Sequence, residues 1–345
     1  MNNHPPIPPS GREDDSLRNY MIEEFVEEYQ EGHMTRRDAL KRLAGLFGSA
    51  AFASTFLAAC APPAPTATPV PPTATTAPTR PPATATTAPS ATAVPPTATA
   101  APTATPATLN VAENDPAIDA MAITFPSGSA TIMGYLAKPK GNGPFPVVLV
   151  CHENRGLLEH IKDVTRRYGK AGYVAIGVDL LSRAGGTDKV DAAAVPGALG
   201  AVTPAQYVED FKAAYTYSQT LAYVRKERVG MVGYCFGGGV TWRVAGGMKE
   251  LRAAVPYYGS IPPVEEVPNI QAAVLALYGE TDARINAGIP TIEAAMKQSN
   301  KTFEKVIYPN AGHAFNNDTG ASHVAAAARD AFNRSVAWFD KYLKV

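Results

Sequence analysis

Three residues of this 345-residue sequence have types and spacing that suit acyl-transfer chemistry. They are Cys235 in Gly233-Tyr234-Cys235-Phe236-Gly237-Gly238, Asp282 in Tyr278-Gly279-Glu280-Thr281-Asp282, and His313 in Ala311-Gly312-His313-Ala314-Phe315. A thiol is mostly protonated near neutral pH, so it needs a base, and His313 can take its proton and later protonate a leaving group. Asp282 can fix the imidazole tautomer and stabilise its positive form. The sequence therefore predicts nucleophilic catalysis by Cys235.

The residues around Cys235 also predict the turn that presents it. An apolar run from Val229 to Val232 leads into the motif, and a glycine-rich helix start follows. We expect Gly233 and Gly237 to be glycine because a Cβ would collide with the neighbouring strand and helix. This is the nucleophile-elbow pattern with Cys in the usual Ser position. The alternative is a buried structural cysteine at a glycine-rich strand end.

The remaining pattern predicts the elements that position these side chains. The composition becomes globular near Val111, and residues 111–345 suffice for one large α/β domain. Apolar or alternating runs predict strands at 121–125, 131–138, 146–151, 173–178, 229–234, 253–258, 273–278 and 303–308. Helices are predicted at 158–170, from Thr203-Pro204 onward, after the motif, and at 321–343. An antiparallel start followed by alternating strands and helices predicts a mostly parallel sheet with helices on both faces.

The candidate residues all follow predicted strands, where open α/β sheets bind their ligands. Glu153 joins them in the early loop Cys151-His152-Glu153-Asn154-Arg155-Gly156. The order nucleophile, acid, histidine is that of α/β-hydrolases. The backbone amides of Phe236 and of a residue in the early loop can stabilise an oxyanion.

These motifs resemble the dienelactone hydrolase family, the carboxymethylenebutenolidases, over about residues 118–345. The resemblance implies the α/β-hydrolase fold and a triad of Cys235, His313 and Asp282. It also implies that Glu153 contacts the resting thiol and takes its proton when substrate binds. The matching oxyanion donors would be the amides of Phe236 and Asn154.

The sequence departs from the family where the substrate's carboxylate is bound. The family's lactone hydrolase uses two arginines, one of them four residues after the catalytic histidine, where this chain has Asn317. The other lies before the helix preceding the motif, but Val195–Tyr207 contains no arginine. Arg155 and Arg183 are the nearby candidates for a replacement, with Arg155 the substrate-binding prediction. The resemblance therefore leaves the substrate open.

Composition and cysteine usage narrow the class further. Net charge is zero, so electrostatics favour neither nucleic acid nor an acidic partner. The three cysteines match no zinc site or disulfide framework, and no metal or other cofactor is expected. We expect Cys151 to be a buried free thiol, although pairing with Cys235 in an oxidising compartment would silence the enzyme. His152 is expected to line the loop or site wall.

The segment 34–60 predicts export. Thr35-Arg36-Arg37-Asp38-Ala39-Leu40-Lys41 resembles a twin-arginine signal, with Ala39 in place of the usual Phe. The apolar run from Leu43 to Ala59 is short and rich in small residues, and Leu57-Ala58-Ala59-Cys60 resembles a bacterial lipobox. We therefore expect the twin-arginine export machinery as partner and a bacterial lipoprotein in the periplasm or at the cell surface. Its membrane anchor would be lipidated Cys60, and an uncleaved N-terminal anchor is the alternative.

Two segments flank this signal. Residues 1–33 are acidic and predict a short amphipathic helix, expected to be solvated and without special function, or else a cytoplasmic partner surface. Met34 is an alternative start. Residues 61–110 are almost entirely Ala, Pro and Thr, which predicts a disordered tether without chemistry.

The sequence as a whole predicts a monomeric hydrolase of a lactone or small ester. Acyl transfer to an alcohol or amine would use the same site. A non-catalytic surface-binding domain on the hydrolase fold is the alternative from another class.

Overall fold

The computed structural model describes residues 16–30, 32, 34–60 and 109–345, which belong to one compact unit. Most of the predicted tether, residues 61–108, lies outside the described residues. The first fifteen residues of the acidic extension also lie outside them.

The sheet has eight strands in the order β1-β2-β4-β3-β5-β6-β7-β8. Its first two strands and the β2–β4 pair are antiparallel, and the other pairs are parallel. The strands are β1 Ile118–Ser127, β2 Ala130–Pro139, β3 Phe145–Cys151, β4 Val174–Val178, β5 Val224–Tyr234, β6 Ala253–Tyr257, β7 Ala273–Gly279 and β8 Phe303–Tyr308. This is the predicted α/β-hydrolase fold, a mostly parallel sheet with an antiparallel start and helices around it.

Ten α-helices accompany the sheet within the described residues. They are α1 Ser16–Gln30, α2 Arg36–Phe47, α3 Ala50–Ala59, α4 Glu159–Lys170, α5 Val195–Gly200, α6 Pro204–Gln219, α7 Phe236–Gly247, α8 Ala283–Asn286, α9 Ile289–Gln298 and α10 Ala325–Leu343. The predicted cap of α6 is confirmed, since Thr203 accepts a hydrogen bond from the Gln206 amide through its side chain. Helices α5, α8 and α9 were not predicted, and α10 begins four residues later than expected.

The central strands carry apolar residues on both faces, as strands covered by helices require. Every residue of β4, β6 and β7 is buried. On one side, the Tyr168 ring of α4 packs against the Phe332 and Phe339 rings of α10. Elsewhere the Tyr207 ring of α6 meets the Phe236 ring of α7 edge to face. These contacts fix the sheet and hence the ends of its strands.

The strand register brings the carboxyl ends of four strands to one edge. Cys151 at the end of β3 pairs with Gly233 near the end of β5. Further along the same edge of the sheet, Gly279 at the end of β7 pairs with Tyr308 at the end of β8. The loops that carry the candidate residues therefore begin side by side.

The N-terminal helices pack against the hydrolase domain. Helix α2 lies close to α5, where a Cβ on Gly197 would meet the backbone oxygen of Gly45 at 2.9 Å. Gly48, with φ of 69°, ends α2 and separates it from α3. Across the described residues, no helix combines the length and apolar character that crossing a membrane requires.

The expectation of a solvated helix in residues 1–33 is wrong. Helix α1 exists, but Met21, Ile22 and Phe25 are fully buried. Its apolar side chains belong to the core of the same unit as the sheet. The error arose because helical periodicity shows that one face is apolar but not which surface covers it.

Candidate active site

Cys235 occupies the sharp turn between β5 and α7 that the sequence predicted. It has φ of 57° and ψ of −121°, a backbone conformation that is uncommon for residues other than glycine. A Cβ on Gly233 would lie 2.1 Å from the Gly237 carbonyl oxygen, and one on Gly237 would lie 2.4 Å from the His152 carbonyl oxygen. The expected reason for both glycines is confirmed, since the neighbouring backbone leaves no room for a side chain.

His313 and Asp282 meet across the loops that follow β8 and β7. The two loops approach so closely that a Cβ on Gly279 would lie 2.5 Å from the Gly312 carbonyl oxygen. The imidazole Nδ1 lies 2.6 Å from Asp282 Oδ2, while Asp282 Oδ1 accepts a hydrogen bond from the Ile285 amide at 3.2 Å. Asp282 therefore caps the short helix α8 and also orients the imidazole.

The Cys235 thiol and the His313 imidazole face the same small space. Their sulfur and nitrogen ligand atoms lie within 4.8 Å of each other. The hydroxyl of Tyr20 lies 3.4 Å from Sγ and 3.3 Å from Nε2. The structure thus brings together the predicted nucleophile, base and acid, and it places an unpredicted tyrosine between two of them.

Helix α1 also places Glu24 in this space. The Cys235 thiol donates to Glu24 Oε1 at 3.5 Å, and His313 Nε2 lies 3.2 Å from the same oxygen. The second Glu24 oxygen accepts from Arg284 Nη2. Glu24 is 3% exposed, so these charges interact with little solvent screening.

Two carboxylates hold His313 in its charged form. Burial would lower the pKa of His313, but Glu24 and Asp282 raise it well above its usual value. An ionised carboxylate only accepts hydrogen bonds, so both ring nitrogens donate in this arrangement. An imidazolium has no lone pair with which to take the thiol proton.

The thiol is held in its neutral form. Burial, and then the Glu24 carboxylate, raise the pKa of Cys235 to about 11. Burial opposes ionisation of Glu24 itself, but His313 and Arg284 lower the pKa of Glu24 below its usual value. The arrangement is a neutral thiol beside a charged imidazole and a charged carboxylate.

Glu153 lines the same cavity but does not take the role that the resemblance implied for the resting thiol. Its Oε2 accepts from Asn317 Nδ2 at 2.7 Å, and its buried Oε1 has no hydrogen-bond partner among the described residues. Burial raises the pKa of Glu153. In this structure the neutral thiol donates its hydrogen bond to Glu24, and Asn317, where the family's lactone hydrolase has an arginine, orients Glu153.

Of the two residues predicted to supply oxyanion donors, Asn154 lines the cavity, and Phe236 directly follows Cys235, which also lines it. Phe236 is the first residue of α7, so its amide has no acceptor within the helix. Asn154 lines the cavity, and its buried side-chain Nδ2 has no partner among the described residues. The assignment of these two amides as oxyanion donors stays a prediction.

Of the two arginines predicted near the site, only Arg155 lines the cavity. Its Nη2 lies 3.8 Å from Glu28 Oε1. Arg183 is wrong as a site candidate, because it forms an ion pair with the buried carboxylate of Asp210 away from the cavity. Arg284, which was not predicted, is buried beside Glu24 and pairs with Glu27 Oε2 at 2.7 Å.

The other residues of the early loop are structural. Cys151 is a fully buried free thiol, and burial raises its pKa well above the usual value. His152 is also fully buried, and its Nε2 accepts a hydrogen bond from the Leu180 amide at 3.1 Å. Burial lowers the pKa of His152, so the ring stays neutral and braces the loop.

One group of side chains has the donor types of a metal site. Glu24, Cys235 and His313 offer three ligand atoms within 4.8 Å of one another. Those same atoms are joined by the hydrogen bonds described above, and Arg284 places a positive charge against the shared carboxylate. The Glu24 carboxylate is therefore already paired with two cationic side chains, His313 and Arg284.

The sequence signal for the unpredicted residues was weak. Tyr20 and Glu24 stand four residues apart, as do Glu24 and Glu28, so they share a face of α1. Acidic residues are common on solvated helices, and nothing in their spacing indicates a buried partner such as Arg284. Only the tertiary packing reveals that this face lies over Cys235.

A cavity of about 640 Å³ remains around these groups. It is lined by the loops after β3, β7 and β8 and by three glutamates of α1, which are Glu24, Glu27 and Glu28. The strand order and the nucleophile turn define the class of the protein as an α/β-hydrolase.

The family follows from comparison with known sequences. The model of the Dienelactone hydrolase family matches residues 132–343. The chain belongs to this family, as the motifs predicted, and it is a hydrolase of the lactone- and ester-cleaving class.

Individual relatives agree with this assignment. A protein of Methylorubrum extorquens named "Putative carboxymethylenebutenolidase" is 34% identical over 233 residues, covering 64% of this chain and 80% of the relative. One of the same name from Escherichia coli K12 is 34% identical over 235 residues, covering 64% and 86%. The crystal structure of a "Putative Dienelactone Hydrolase" from Klebsiella pneumoniae is 34% identical with a TM-score of 0.62, covering 66% of this chain and all of that one. A dienelactone hydrolase-like promiscuous phosphotriesterase from metagenomic libraries shares the fold at 22% identity and a TM-score of 0.60.

Proposed function

We propose that this protein cleaves a lactone or small carboxylic ester through a covalent acyl-enzyme on Cys235. The observation that carries the proposal is the hydrogen bond of 2.6 Å between His313 and Asp282, with the other imidazole nitrogen facing the thiol. An acid that can orient the imidazole, a base and a thiol in this chain order support an acyl-transfer reaction. The acid, base and nucleophile come from three separate loops, so their meeting is a property of the fold.

Acylation begins from a site that α1 does not occupy. The thiol gives its proton to the neutral His313 Nε2, and the Glu153 carboxylate is an alternative acceptor of that proton. The sulfur then attacks the carbonyl carbon of the substrate. The carbonyl oxygen becomes negative, and the amides of Phe236 and Asn154 donate to it. Collapse breaks the carbon–oxygen bond, and the leaving alkoxide takes the proton from His313.

Deacylation repeats these steps with water as the nucleophile. His313 takes a proton from water while the water oxygen attacks the thioester carbon. Asp282 stabilises the resulting imidazolium. Collapse then breaks the carbon–sulfur bond, releasing the carboxylic acid and returning the proton to sulfur. In a lactone the alcohol and acid stay in one product molecule.

An ester and lactone panel tests the proposal. Cys235→Ala should abolish turnover of an aryl ester or lactone while circular dichroism and thermal unfolding remain those of the parent. Because α1 covers the site, the panel is run on the full chain and on the Phe25→Asp chain described below. Turnover by Phe25→Asp that survives Cys235→Ala would overturn the proposal.

Product analysis separates hydrolysis from transfer. With an ester substrate and a competing alcohol or amine, the ratio of acid to new ester or amide reports which acceptor reaches the acyl-enzyme. Specific ligand binding without turnover or thiol labelling would instead favour the non-catalytic binding domain.

We also propose that the chain is an exported bacterial lipoprotein, anchored in the membrane through Cys60. The support lies in the sequence, where Arg36-Arg37, a short apolar run and the small-small-Cys pattern occur in signal order. The export machinery is the implied partner, and the periplasm or cell surface is the implied location.

Fractionation of expressing cells tests this second proposal. The parent should be found in the membrane fraction with an N-terminus at lipidated Cys60, measured by mass spectrometry. Cys60→Ser should prevent lipidation, and a chain with both Arg36→Lys and Arg37→Lys should remain in the cytoplasm. A parent chain that keeps residues 34–59 would contradict the processing.

A further inference from the structure

Helix α1 fills the space that a substrate must use. A reacting carbonyl has to lie about 3 Å from both the nucleophile and the oxyanion donors. In this structure Glu24 Oε1 and the Tyr20 hydroxyl lie 3.5 Å and 3.4 Å from Cys235 Sγ. An ester and these two side chains cannot occupy the same position.

Charged contacts hold the helix over the site. Arg284 pairs with Glu24 and, at 2.7 Å through Nε, with Glu27, and its guanidinium lies 4.7 Å from the Tyr20 ring centroid. One turn further along, Glu28 faces Arg155 at 3.8 Å. Glu24 and Glu27 of α1 therefore pair with Arg284, and Glu28 lies near Arg155 of the cavity wall.

Apolar contacts fix the helix in register. Phe25 and Ile22 have no exposed surface, and the guanidinium of Arg42 lies 5.3 Å from the Phe25 ring centroid. Leu17 reaches α7 so closely that a Cβ on Gly239 would lie 3.0 Å from its Cδ2. The helix is thus packed as part of the core, which places Tyr20 and Glu24 at fixed positions.

The contacts also oppose each chemical requirement of acyl transfer. Glu24 accepts hydrogen bonds from the thiol and from His313 Nε2, so the base is occupied and the thiol proton is held away from it. Burial and Glu24 raise the pKa of Cys235 to about 11, which keeps sulfur in its less reactive form. Substrate access, the base and the nucleophile are all affected by one helix turn.

We propose that helix α1, Ser16–Gln30, is a built-in inhibitor of the hydrolase, which stays inactive until α1 leaves the cavity. Glu24 blocks the site with its carboxylate, and Arg284 holds that carboxylate in an ion pair. The buried Phe25 ring keeps the helix packed in place. The inference rests on the proposed function for the reaction that is blocked. The contacts themselves do not depend on which ester is cleaved.

The proposed export gives this inhibitor a route of removal. Hydrolysis of the Ala59–Cys60 peptide bond, with water added across it, would separate residues 1–59 from the enzyme. All of α1 lies within that fragment. The hydrolase would then be blocked before processing and open after it.

A matched pair of full-chain variants tests the inhibitor. Phe25→Asp places a charge at a buried position of α1, whereas Phe52→Asp makes the same change on α3, where the ring is 43% exposed. We expect Phe25→Asp to raise aryl-ester turnover at least tenfold and to speed alkylation of Cys235 by iodoacetamide by a similar factor. Phe52→Asp should change neither rate.

A second experiment keeps the test independent of misfolding. A synthetic peptide of residues 16–30 is added to Phe25→Asp protein and should restore the low turnover and the slow alkylation. The same peptide with Glu24→Gln should be at least tenfold weaker, because it loses the negative charge that faces His313 and Arg284. An unfolded variant could not be restored by either peptide.

The outcomes separate the two proposals. Faster alkylation of Phe25→Asp without turnover of any ester supports the inhibitor and rejects the proposed reaction. Equal turnover and equal alkylation of the parent and Phe25→Asp, with α1 shown to be displaced by its cleavage in limited proteolysis, would overturn the inhibitor. Failure of the parent peptide to slow alkylation of the Phe25→Asp protein would also overturn it.

Discussion

At the scale of single residues, the reaction proposed for Cys235 depends on whether its thiol is ionised. Sulfur lies 3.5 Å from a carboxylate oxygen and is almost fully buried, and both conditions disfavour the thiolate. A reactive cysteine usually lies near positive charge or a helix N-terminus. Cys235 has both the helix N-terminus of α7 and the charged His313, but burial and Glu24 outweigh them and raise its pKa.

The pH dependence of alkylation reports this state. In the full chain the thiol has a pKa of about 11, so its alkylation rate should rise roughly tenfold per pH unit between pH 7 and pH 10. In Phe25→Asp, where Glu24 is displaced, the rate should level off at a lower pH. The measurement is mass-spectrometric labelling, with Cys235→Ser correcting for Cys60 and Cys151. A plateau of the parent near pH 8 would contradict this prediction.

Arg284 carries a separate prediction about what the open site binds. With α1 displaced, Arg284 loses its ion pairs with Glu24 and Glu27, and we expect its guanidinium to face the opened site. In the Phe25→Asp chain, Arg284→Gln should raise KM about tenfold for an ester bearing a carboxylate, since a charge-assisted hydrogen bond contributes about 1.5–3 kcal/mol. KM for a neutral ester should stay within about twofold.

Arg155→Gln provides the comparison. Its side chain is 53% exposed, so solvent screens it and its loss should change KM less. Equal effects of the two variants, or an equal loss for the neutral ester, would mean that Arg284 supports the fold and does not contact substrate.

At the scale of elements, the turn between β5 and α7 limits which residues the site tolerates. Gly237→Ala would place a Cβ 2.4 Å and 2.8 Å from the carbonyl oxygens of His152 and Cys151. Backbone atoms cannot give way as a flexible side chain does, so we expect a loss of at least about 1–3 kcal/mol in the free energy of unfolding. Urea denaturation checks the value.

Gly246→Ala is the control on the same helix. Its nearest neighbours would lie at 3.5 Å, which is ordinary contact. Alanine stabilises a helix by about 1 kcal/mol more than glycine does, so the free energy of unfolding of this variant should be unchanged or higher. Similar destabilisation by both changes would show that helix α7, and not the turn, is sensitive to side-chain volume.

The sequence predicted those elements whose own residues determine them. The apolar runs of β3 and β7 and the Thr203-Pro204 start of α6 are local signals, and the structure has strands and a helix there. The short helix α8 depends on Asp282 as its cap, and the same residue type also suits an orienting acid. Local pattern could not choose between these roles, and the structure shows both.

The candidate site was predictable in part for the same reason. Cys235, Asp282 and His313 follow strands whose carboxyl ends must share one edge, so their meeting follows from topology. Glu24 and Arg284 are 260 positions apart, and no motif links them. Their contact depends on how α1 packs against the folded domain, and the hydrophobic periodicity of a sequence carries no information about that packing.

At the scale of the whole molecule, the docking of α1 should depend on pH through His313. The helix raises the pKa of His313, so the stability that this group gives to docking is fully present below its usual pKa. It is lost as pH rises through the raised value. The raised pKa of Cys235 acts in the same direction at higher pH.

Limited proteolysis of the full chain measures this dependence. Cleavage within residues 16–30 should be slow near pH 6 and faster at alkaline pH, with the protease's own profile corrected on Phe25→Asp. His313→Gln should remove much of the pH response because its ring cannot become charged. A parent chain whose cleavage, after correction, slows with rising pH would contradict the sign.

The covalent continuity of α1 and the hydrolase has a quantitative consequence. While both belong to one chain, the helix reaches its cavity at an effective concentration set by the connecting residues, up to the order of millimolar for a flexible connection. A single cut between them would leave every contact of Glu24 and Arg284 intact, yet docking would become bimolecular. The cut protein should therefore stay inhibited in concentrated solution and become active on dilution, with half of it active when the protein concentration is twice the dissociation constant of the helix fragment.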